Sequence, residues 1–162
     1  MSPTPGPATS TVRPAPTAGM RGVHWDDRRM DRPYQLRPHH LTTADGQRTT
    51  GFLYTLTGHE TSVVCIMHPR ELGVTHYLVP DILDAGHACW IQGSRSVGND
   101  LRLEHETALL DVAAGLQHLR ASGFHKTLLL GNSGGAALYG LYTQQALSAP
   151  AQRIAQDRKS VV

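Results

Sequence analysis

Three short apolar runs, separated by stretches with helical periodicity, constrain the fold of this chain more than any other feature. The runs are SVVCIM, HACWIQG and HKTLLL, which begin at Ser62, His87 and His125. Continuous apolar runs of this length indicate strands that are covered on both faces. Strands separated by helices need crossover connections, which place the strands parallel in one sheet. The sequence therefore predicts an α/β fold.

The helices differ in how clearly the sequence marks them. The clearest is predicted over Leu101–Ser122, where leucine and valine recur at spacings of three and four before Gly123. A shorter helix is predicted over Thr75–Ala85, in which Pro80 should introduce a kink or move the start later. A last helix is predicted over Ala136–Leu147.

An antiparallel hairpin is predicted ahead of the parallel strands. From Tyr34 the sequence YQLRPHHLTTADGQRTTGFLYTLTG alternates between apolar and polar residues on both sides of Asp45 and Gly46. An Asp-Gly pair tolerates the positive φ angles of a tight hairpin turn. The predicted architecture is thus an N-terminal antiparallel hairpin leading into a parallel sheet with crossover helices.

Composition divides the chain into three parts. Residues 1–33 are predicted to be a disordered tail, because five of the ten prolines lie in the first sixteen residues among Ser, Thr, Ala and Gly. Residues 34–150 are predicted to form a partial domain, and residues 151–162 a tail outside it. The last six residues, DRKSVV at 157–162, match one reading frame of a common sequencing adapter. The hypothesis is that these six residues derive from the adapter, and the alternative is a genuine short C-terminus.

Charge and hydropathy exclude several function classes. The formal net charge of +2 argues against a nucleic-acid partner. No apolar run reaches the length of a membrane span, and no signal-peptide pattern occurs in residues 1–20, so we expect no membrane and a cytoplasmic protein. Cys65 and Cys89 lie in apolar stretches and are expected to be free and buried. Oligomeric state is not readable from these patterns.

Metal and phosphate chemistry have no supporting motif. Ten histidines are present, but no H-E-x-x-H and no cysteine pair at ligand spacing occurs, so no metal is expected. Neither glycine-rich phosphate-binding spacing is present. His39, His105 and His118 are expected to be surface residues or hydrogen-bonded ones. Arg95 is either a solvated loop residue, the favoured interpretation, or faces the functional site.

The sequence GNSGG at residues 131–135 is a G-x-S-x-G motif between a predicted strand and a predicted helix. In that context a sharp turn strains the serine backbone and exposes the hydroxyl at the end of the strand. Gly131 and Gly135 allow the chain to pass close to itself. The helix after Ser133 directs unpaired N–H groups at the same place. The motif favours a serine nucleophile, although a helix-start turn without chemistry has the same five letters.

With these motifs together, the chain resembles the α/β-hydrolase fold family from about Tyr34 to Leu147. The hairpin, VVCIMHPRE, QGSRSVGND and LLLGNSGG follow in the family's order. The resemblance implies an incomplete α/β-hydrolase fold and an enzyme that hydrolyses esters, thioesters or amides through an acyl-serine on Ser133. It implies a small-molecule acyl substrate and no cofactor.

The resemblance also assigns an oxyanion hole. The N–H of Gly134, which follows the serine, would be one donor. In the family the loop after the third strand often begins His-Gly-X, with X as the second donor, and here it reads His68-Pro69-Arg70. The donor role therefore falls on Arg70, and His68 is interpreted as a residue that shapes the loop. Proline in place of glycine is a departure from the family.

The general base that such an enzyme needs is missing. In the family the order is serine, acid, histidine, yet after Ser133 this chain has no histidine and only one acid, Asp157. We therefore expect an N-terminal fragment of a serine hydrolase that is inactive as it stands. The alternative is a non-catalytic α/β module that uses the pocket above residues 131–135 for binding.

Overall fold

The computed structural model describes residues 33–98, 101, 104–149 and 152. The strands are β1 (Gln35–Thr42), β2 (Arg48–Thr55), β3 (Ser62–Met67), β4 (Ala88–Gln92) and β5 (Lys126–Gly131). The helices are α1 (Val79–Asp84), α2 (His105–Ala121) and α3 (Gly134–Leu147). The tail predicted at residues 1–33, apart from residue 33 itself, and the six C-terminal residues lie outside the described residues.

The strands form one five-stranded sheet in the order β1-β2-β4-β3-β5. β1 pairs antiparallel with β2 around a turn in which Gly46 has φ 79°, and β2 pairs antiparallel with β4. β3 pairs parallel with both β4 and β5. The predicted fold class, a hairpin that leads into a parallel sheet with crossover helices, is confirmed.

The parallel strands define two edges of the sheet. Met67, at the end of β3, pairs with Gln92 of β4 and with Gly131 of β5. We call this carboxyl-terminal edge the upper edge. Ser62, at the start of β3, pairs with Lys126 at the start of β5, and this opposite edge is the lower edge.

Helices cover both faces of the sheet. α2 and α3 pack on one face in a core that includes Cys65, Trp90 and Leu138, and α1 packs on the other face with Cys89. The two cysteines are free and buried, as expected. Burial raises the pKa of both thiols, that of Cys89 to about 12. None of the helices in the described part of the chain has both the length and the apolar character needed to cross a bilayer.

Helix starts differ from those predicted. α1 begins at Val79 rather than Thr75, with Pro80 in its first turn. Proline is favoured there because the first N–H groups of a helix have no intrahelical acceptor. α2 begins at His105 rather than Leu101, and α3 begins at Gly134, two residues before the predicted start. The two long helices are otherwise as predicted.

The prediction that β5 is covered on both faces is wrong for the described residues. β5 lies at one end of the described sheet, and the exposed fractions of Leu128 and Leu129 are 39% and 37%. An apolar run shows which side chains avoid water, but it does not show how many strands flank it. By contrast, all five residues of β4, which has a strand on each side, are buried.

Candidate active site

Ser133 occupies the tight turn between β5 and α3 at the upper edge of the sheet. Its backbone has φ 51° and ψ −119°, and it is the only described residue other than glycine with a positive φ. Such a conformation is uncommon for a residue with a side chain, and the surrounding structure must hold it in place. The side chain is exposed and, among the described residues, its hydroxyl has no hydrogen-bond partner. The hydroxyl is therefore accessible for chemistry.

The glycines of the turn allow two close backbone contacts. A Cβ added to Gly131 would lie 2.2 Å from the backbone nitrogen of Ala136. A Cβ added to Gly135 would lie 1.9 Å from the carbonyl oxygen of Met67. The N–H of Asn132 donates to the same carbonyl at 3.0 Å. The turn is thus fixed against the end of β3 at positions where only glycine fits.

The N–H of Gly134 is available at the start of α3. Gly134 is the first residue of the helix, where N–H groups have no intrahelical acceptor and the helix dipole is positive. Within the described residues this N–H donates to no protein acceptor. Pro69 borders it, because a Cβ at Gly134 would lie 3.1 Å from the proline Cγ. The loop after β3 and the start of α3 therefore line one site.

His68 holds the loop after β3 in a compact turn. Its Nδ1 accepts hydrogen bonds from the backbone N–H groups of Arg70 at 3.2 Å and Glu71 at 3.0 Å. The N–H of Arg70 is consequently engaged by the imidazole in this structure. An oxyanion that used this donor would have to compete with His68 or reorient the loop.

Arg95 is not the solvated loop arginine that the sequence favoured. Its side chain is 16% exposed and is bound to the fully buried carboxylate of Asp111 on α2. The Arg95 N–H donates to Asp111 Oδ2 at 2.9 Å and the guanidinium Nε donates to Oδ1 at 3.0 Å. The outer side of the guanidinium binds Asp45 in the hairpin turn. The interpretation was wrong because both partners are distant in sequence.

The turn that carries Arg95 also contacts the loop after β3. The N–H of Gly98 donates to the carbonyl oxygen of Arg70 at 3.1 Å. The buried ion pair is thus connected, through one short turn, to the loop beside Ser133.

Two of the histidines form a cluster that sequence reasoning missed. The rings of His39 and His118 lie 4.6 Å apart, and both pack on Trp90. The Nε2 atoms of both histidines are buried and have no partner among the described residues. The expectation of surface or hydrogen-bonded histidines was therefore wrong for this pair. No group of three or more potential metal ligands lies together in the described part of the chain.

Several solved structures are similar to this chain. An esterase of Pyrococcus furiosus matches 67% of the chain with 19% identity and a TM-score of 0.55. Brefeldin A esterase, a bacterial homologue of human hormone-sensitive lipase, matches 71% with 17% identity and a TM-score of 0.58. A post-proline cleaving enzyme from Rickettsia typhi matches 69% with 14% identity and a TM-score of 0.59. These identities are low enough that the likeness concerns the fold.

The described residues form part of an α/β-hydrolase fold. The chain covers 44% of the Pyrococcus esterase, 36% of brefeldin A esterase and 19% of the Rickettsia enzyme, so it spans less than half of each. No protein-family model and no curated protein sequence matches the chain.

The structure brings together the residues that the sequence singled out at the two loops. Residues 68–70 and 131–135 meet at the upper edge, since β3 and β5 are neighbours. Asp157, the only acid after Ser133, lies outside the described residues. The sequence contains no histidine after Ser133, so the described site has a candidate nucleophile without a base in the expected order.

Proposed function

We propose that this chain is the nucleophile-bearing, N-terminal part of a serine hydrolase that acts on an ester, thioester or amide. The observation that carries the proposal is the backbone of Ser133, which is held at positive φ between a parallel strand and a helix. Glycine would adopt this conformation without strain, so a serine at this position costs stability that a function of its hydroxyl would explain. The hydrolase folds of the similar structures support the same proposal.

In the proposed reaction the Ser133 Oγ attacks the carbonyl carbon of the substrate, and its proton passes to a general base. The N–H of Gly134 donates to the oxyanion that forms on the former carbonyl oxygen. The N–H of Arg70 would be the second donor after exchange of its bond to His68. The carbonyl then reforms, the leaving group departs with a proton, and water hydrolyses the acyl-serine. Gly131 and Gly135 keep the turn against β3, and no cofactor takes part.

We propose further that the base and its orienting acid lie beyond the 162 residues, so that these residues alone are inactive. Removing both groups from a triad costs about 10⁴- to 10⁶-fold in turnover and leaves the contribution of the oxyanion hole. A small-molecule acyl compound is the proposed substrate class.

A fluorophosphonate probe tests the proposal. The probe is added to residues 1–162 and to the same chain extended by the sequence that follows it at its genomic locus. We expect rapid labelling of the extended chain, no labelling after Ser133→Ala, and labelling of residues 1–162 that is slower by several orders of magnitude. Ser148→Ala, in the same segment, is the matched control and should label normally.

Absence of labelling in a folded extended chain would contradict the proposal. That outcome would favour a non-catalytic module that binds through the pocket above residues 131–135. The engagement of the Arg70 N–H by His68 is the observation in favour of this second function, because among the described residues of the two loops it leaves only the N–H of Gly134 free to donate to an oxyanion.

A further inference from the structure

β5 is an outer strand of the described sheet and carries exposed leucines along an unpaired edge. Its neighbour on one side is β3, and no described strand lies on its other side. The exposed fractions of Leu128 and Leu129 are 39% and 37%, and these successive side chains point to opposite faces of the sheet. A strand in this position presents a row of unpaired N–H and C=O groups, which is a template for another strand.

The other outer strand, β1, is protected against such pairing. Pro38 lies inside β1, and Arg37 precedes it. Proline has no N–H to offer, and proline and charged residues on an edge strand both discourage edge-to-edge association. β5 has neither in its interior, because its one charged residue, Lys126, is its first residue. The described sheet thus has one protected edge and one open edge.

The open edge is formed by the backbone groups of Thr127, Leu129 and Gly131. At the two ends of β5 the N–H groups of Lys126 and Asn132 donate towards β3, to carbonyl oxygens at 3.4 Å and 3.0 Å. The backbone groups of successive residues in a strand point to alternate sides. The even-numbered residues of β5 therefore bond to β3, and the odd-numbered residues direct their N–H and C=O groups outward.

This edge is complementary to a second copy of itself. When two antiparallel copies of β5 meet about a two-fold axis perpendicular to the sheet, Leu129 lies opposite Leu129 of the second copy. These two residues can exchange both of their hydrogen bonds, and Thr127 can do the same with Gly131 of the second copy. On the other face of the sheet Leu128 lies opposite Leu130 of the second copy. Each leucine of β5 therefore meets a leucine.

The charges beside the edge do not oppose this pairing. In the same register Lys126 lies opposite Asn132, so no like charges meet. The helix that follows β5, α3, contains no charged residue, and Leu147 at its end is 84% exposed. The two copies of α3 would lie on the same face of the combined sheet without electrostatic repulsion.

The segments of the chain outside the described residues are poorly suited to this edge. Five prolines lie in the first sixteen residues, seven of the next sixteen residues are charged, and four of the ten residues after Gln152 are charged. Proline and most charged residues are depleted in strands, and none of these segments offers a row of leucines. A second copy of β5 offers such a row in the required register.

We propose that two copies of this chain associate through β5, so that their sheets become one continuous sheet around a two-fold axis beside Leu129. The contact is closed, because each copy contributes its one open edge. It does not use the side chain of Ser133, so it is independent of the proposed hydrolase activity.

Sedimentation velocity of residues 1–162 over a concentration series tests this proposal. We expect a species of twice the 17.6 kDa of one chain. Leu129→Lys places two like charges opposite each other at the axis, so this variant should sediment at half the mass of the original dimer. Leu36→Lys is the matched control, because Leu36 is 41% exposed on the protected strand β1, and it should remain a dimer. Circular dichroism checks that both variants fold.

Oxidative cross-linking tests the same register without adding a charge. The Cα atoms of a hydrogen-bonded antiparallel pair lie about 5.5 Å apart, which is within the range for a disulfide. Leu129→Cys should therefore form a covalent dimer on oxidation, and Leu36→Cys should not. The native Cys65 and Cys89 are buried and should not contribute.

Three results would overturn the proposal: a monomer of the original chain at every concentration, a folded Leu129→Lys variant that remains a dimer, or equal cross-linking of the two cysteine variants. A monomer would mean that another segment covers β5 or that the edge stays open. A series of ever larger species would also overturn it, since a two-fold contact closes at two copies. Ser133→Ala should dimerise like the original chain, whether or not Ser133 is a nucleophile.

Discussion

Replacing Arg95 by methionine would isolate the buried charge of Asp111. The Asp111 side chain is fully buried and the side chain of Arg95 is 16% exposed. The guanidinium Nε donates to Oδ1 of this carboxylate at 3.0 Å, and Nη2 forms an ion-pair contact with the same oxygen at 2.9 Å. Methionine fills similar space but donates nothing, so only the backbone N–H of residue 95 would remain as a donor.

The expected loss of unfolding free energy is large for one substitution. Removing one partner of a buried ion pair costs about 3–5 kcal/mol, because the other charge remains buried. Burial already raises the pKa of Asp111 despite the bonds from Arg95. Without the arginine the pKa would rise further, so the loss should be largest at neutral pH and shrink in acid, where the carboxyl is protonated.

Asp45 provides the matched comparison on the other side of the guanidinium. Its side chain is 37% exposed, so solvent screens the interaction and Asp45→Asn should cost no more than about 1 kcal/mol. Arg95 lowers the pKa of Asp45 to about 2. That small stabilisation is present above the unfolded-state pKa and is lost as the pH falls towards about 2.

Urea unfolding followed by circular dichroism measures both variants. With an m-value of about 1–3 kcal/mol/M, Arg95→Met should lower the midpoint by about 1 M or more, and Asp45→Asn by much less. Arg48→Met, an exposed change on β2, controls for loss of an arginine. Combining Arg95→Met with Asp111→Leu should restore much of the stability. An Arg95→Met midpoint equal to that of Arg48→Met would show that the pair of Arg95 and Asp111 does not stabilise the fold.

Two further predictions concern the turn and the histidine pair. Gly135→Ala should destabilise by about 1–3 kcal/mol, since its Cβ would lie 1.9 Å from the Met67 carbonyl oxygen. Gly140→Ala, in the same helix with open space around it, should stabilise by about 0.5–1 kcal/mol in the same urea assay, and equal effects would contradict the geometry. Burial lowers the pKa of His39 and His118, so the unfolded chain binds more protons than the folded chain in mild acid. Thermal stability should therefore decrease as the pH is lowered from about 7 to about 5. His118→Gln should flatten this dependence, and an unchanged slope would show that other groups cause it.

The turn around Ser133 was predictable because its cause is local. A strand, five residues with glycine at both ends, and a helix specify the geometry over a short stretch of sequence. The ion pair was not predictable, because Arg95 binds Asp111 across 16 positions and Asp45 across 50. The periodicity of apolar residues along the sequence does not indicate which distant charged residues pair in the fold.

A cavity of about 400 Å³ at the lower edge of the sheet was unpredictable for the same reason. It is lined by residues of β1 and β2, of the loop before β3 and of the segment after α2, which only the folded sheet brings together. The exposure of β5 depends on which strands flank it, so its apolar sequence predicted the wrong environment. By contrast, the hairpin and the two long helices were predictable because their sequence patterns involve only residues that are close together in the chain.

Locating the fluorophosphonate adduct within the extended chain is the most direct test of Ser133 as the nucleophile. Trypsin leaves Ser133 and Ser148 in one peptide, from Thr127 to Arg153, so fragmentation mass spectrometry must assign the modified serine. We expect one adduct for each chain, on Ser133. An adduct on Ser148 or on another residue, or a folded extended chain without any adduct, would contradict this expectation.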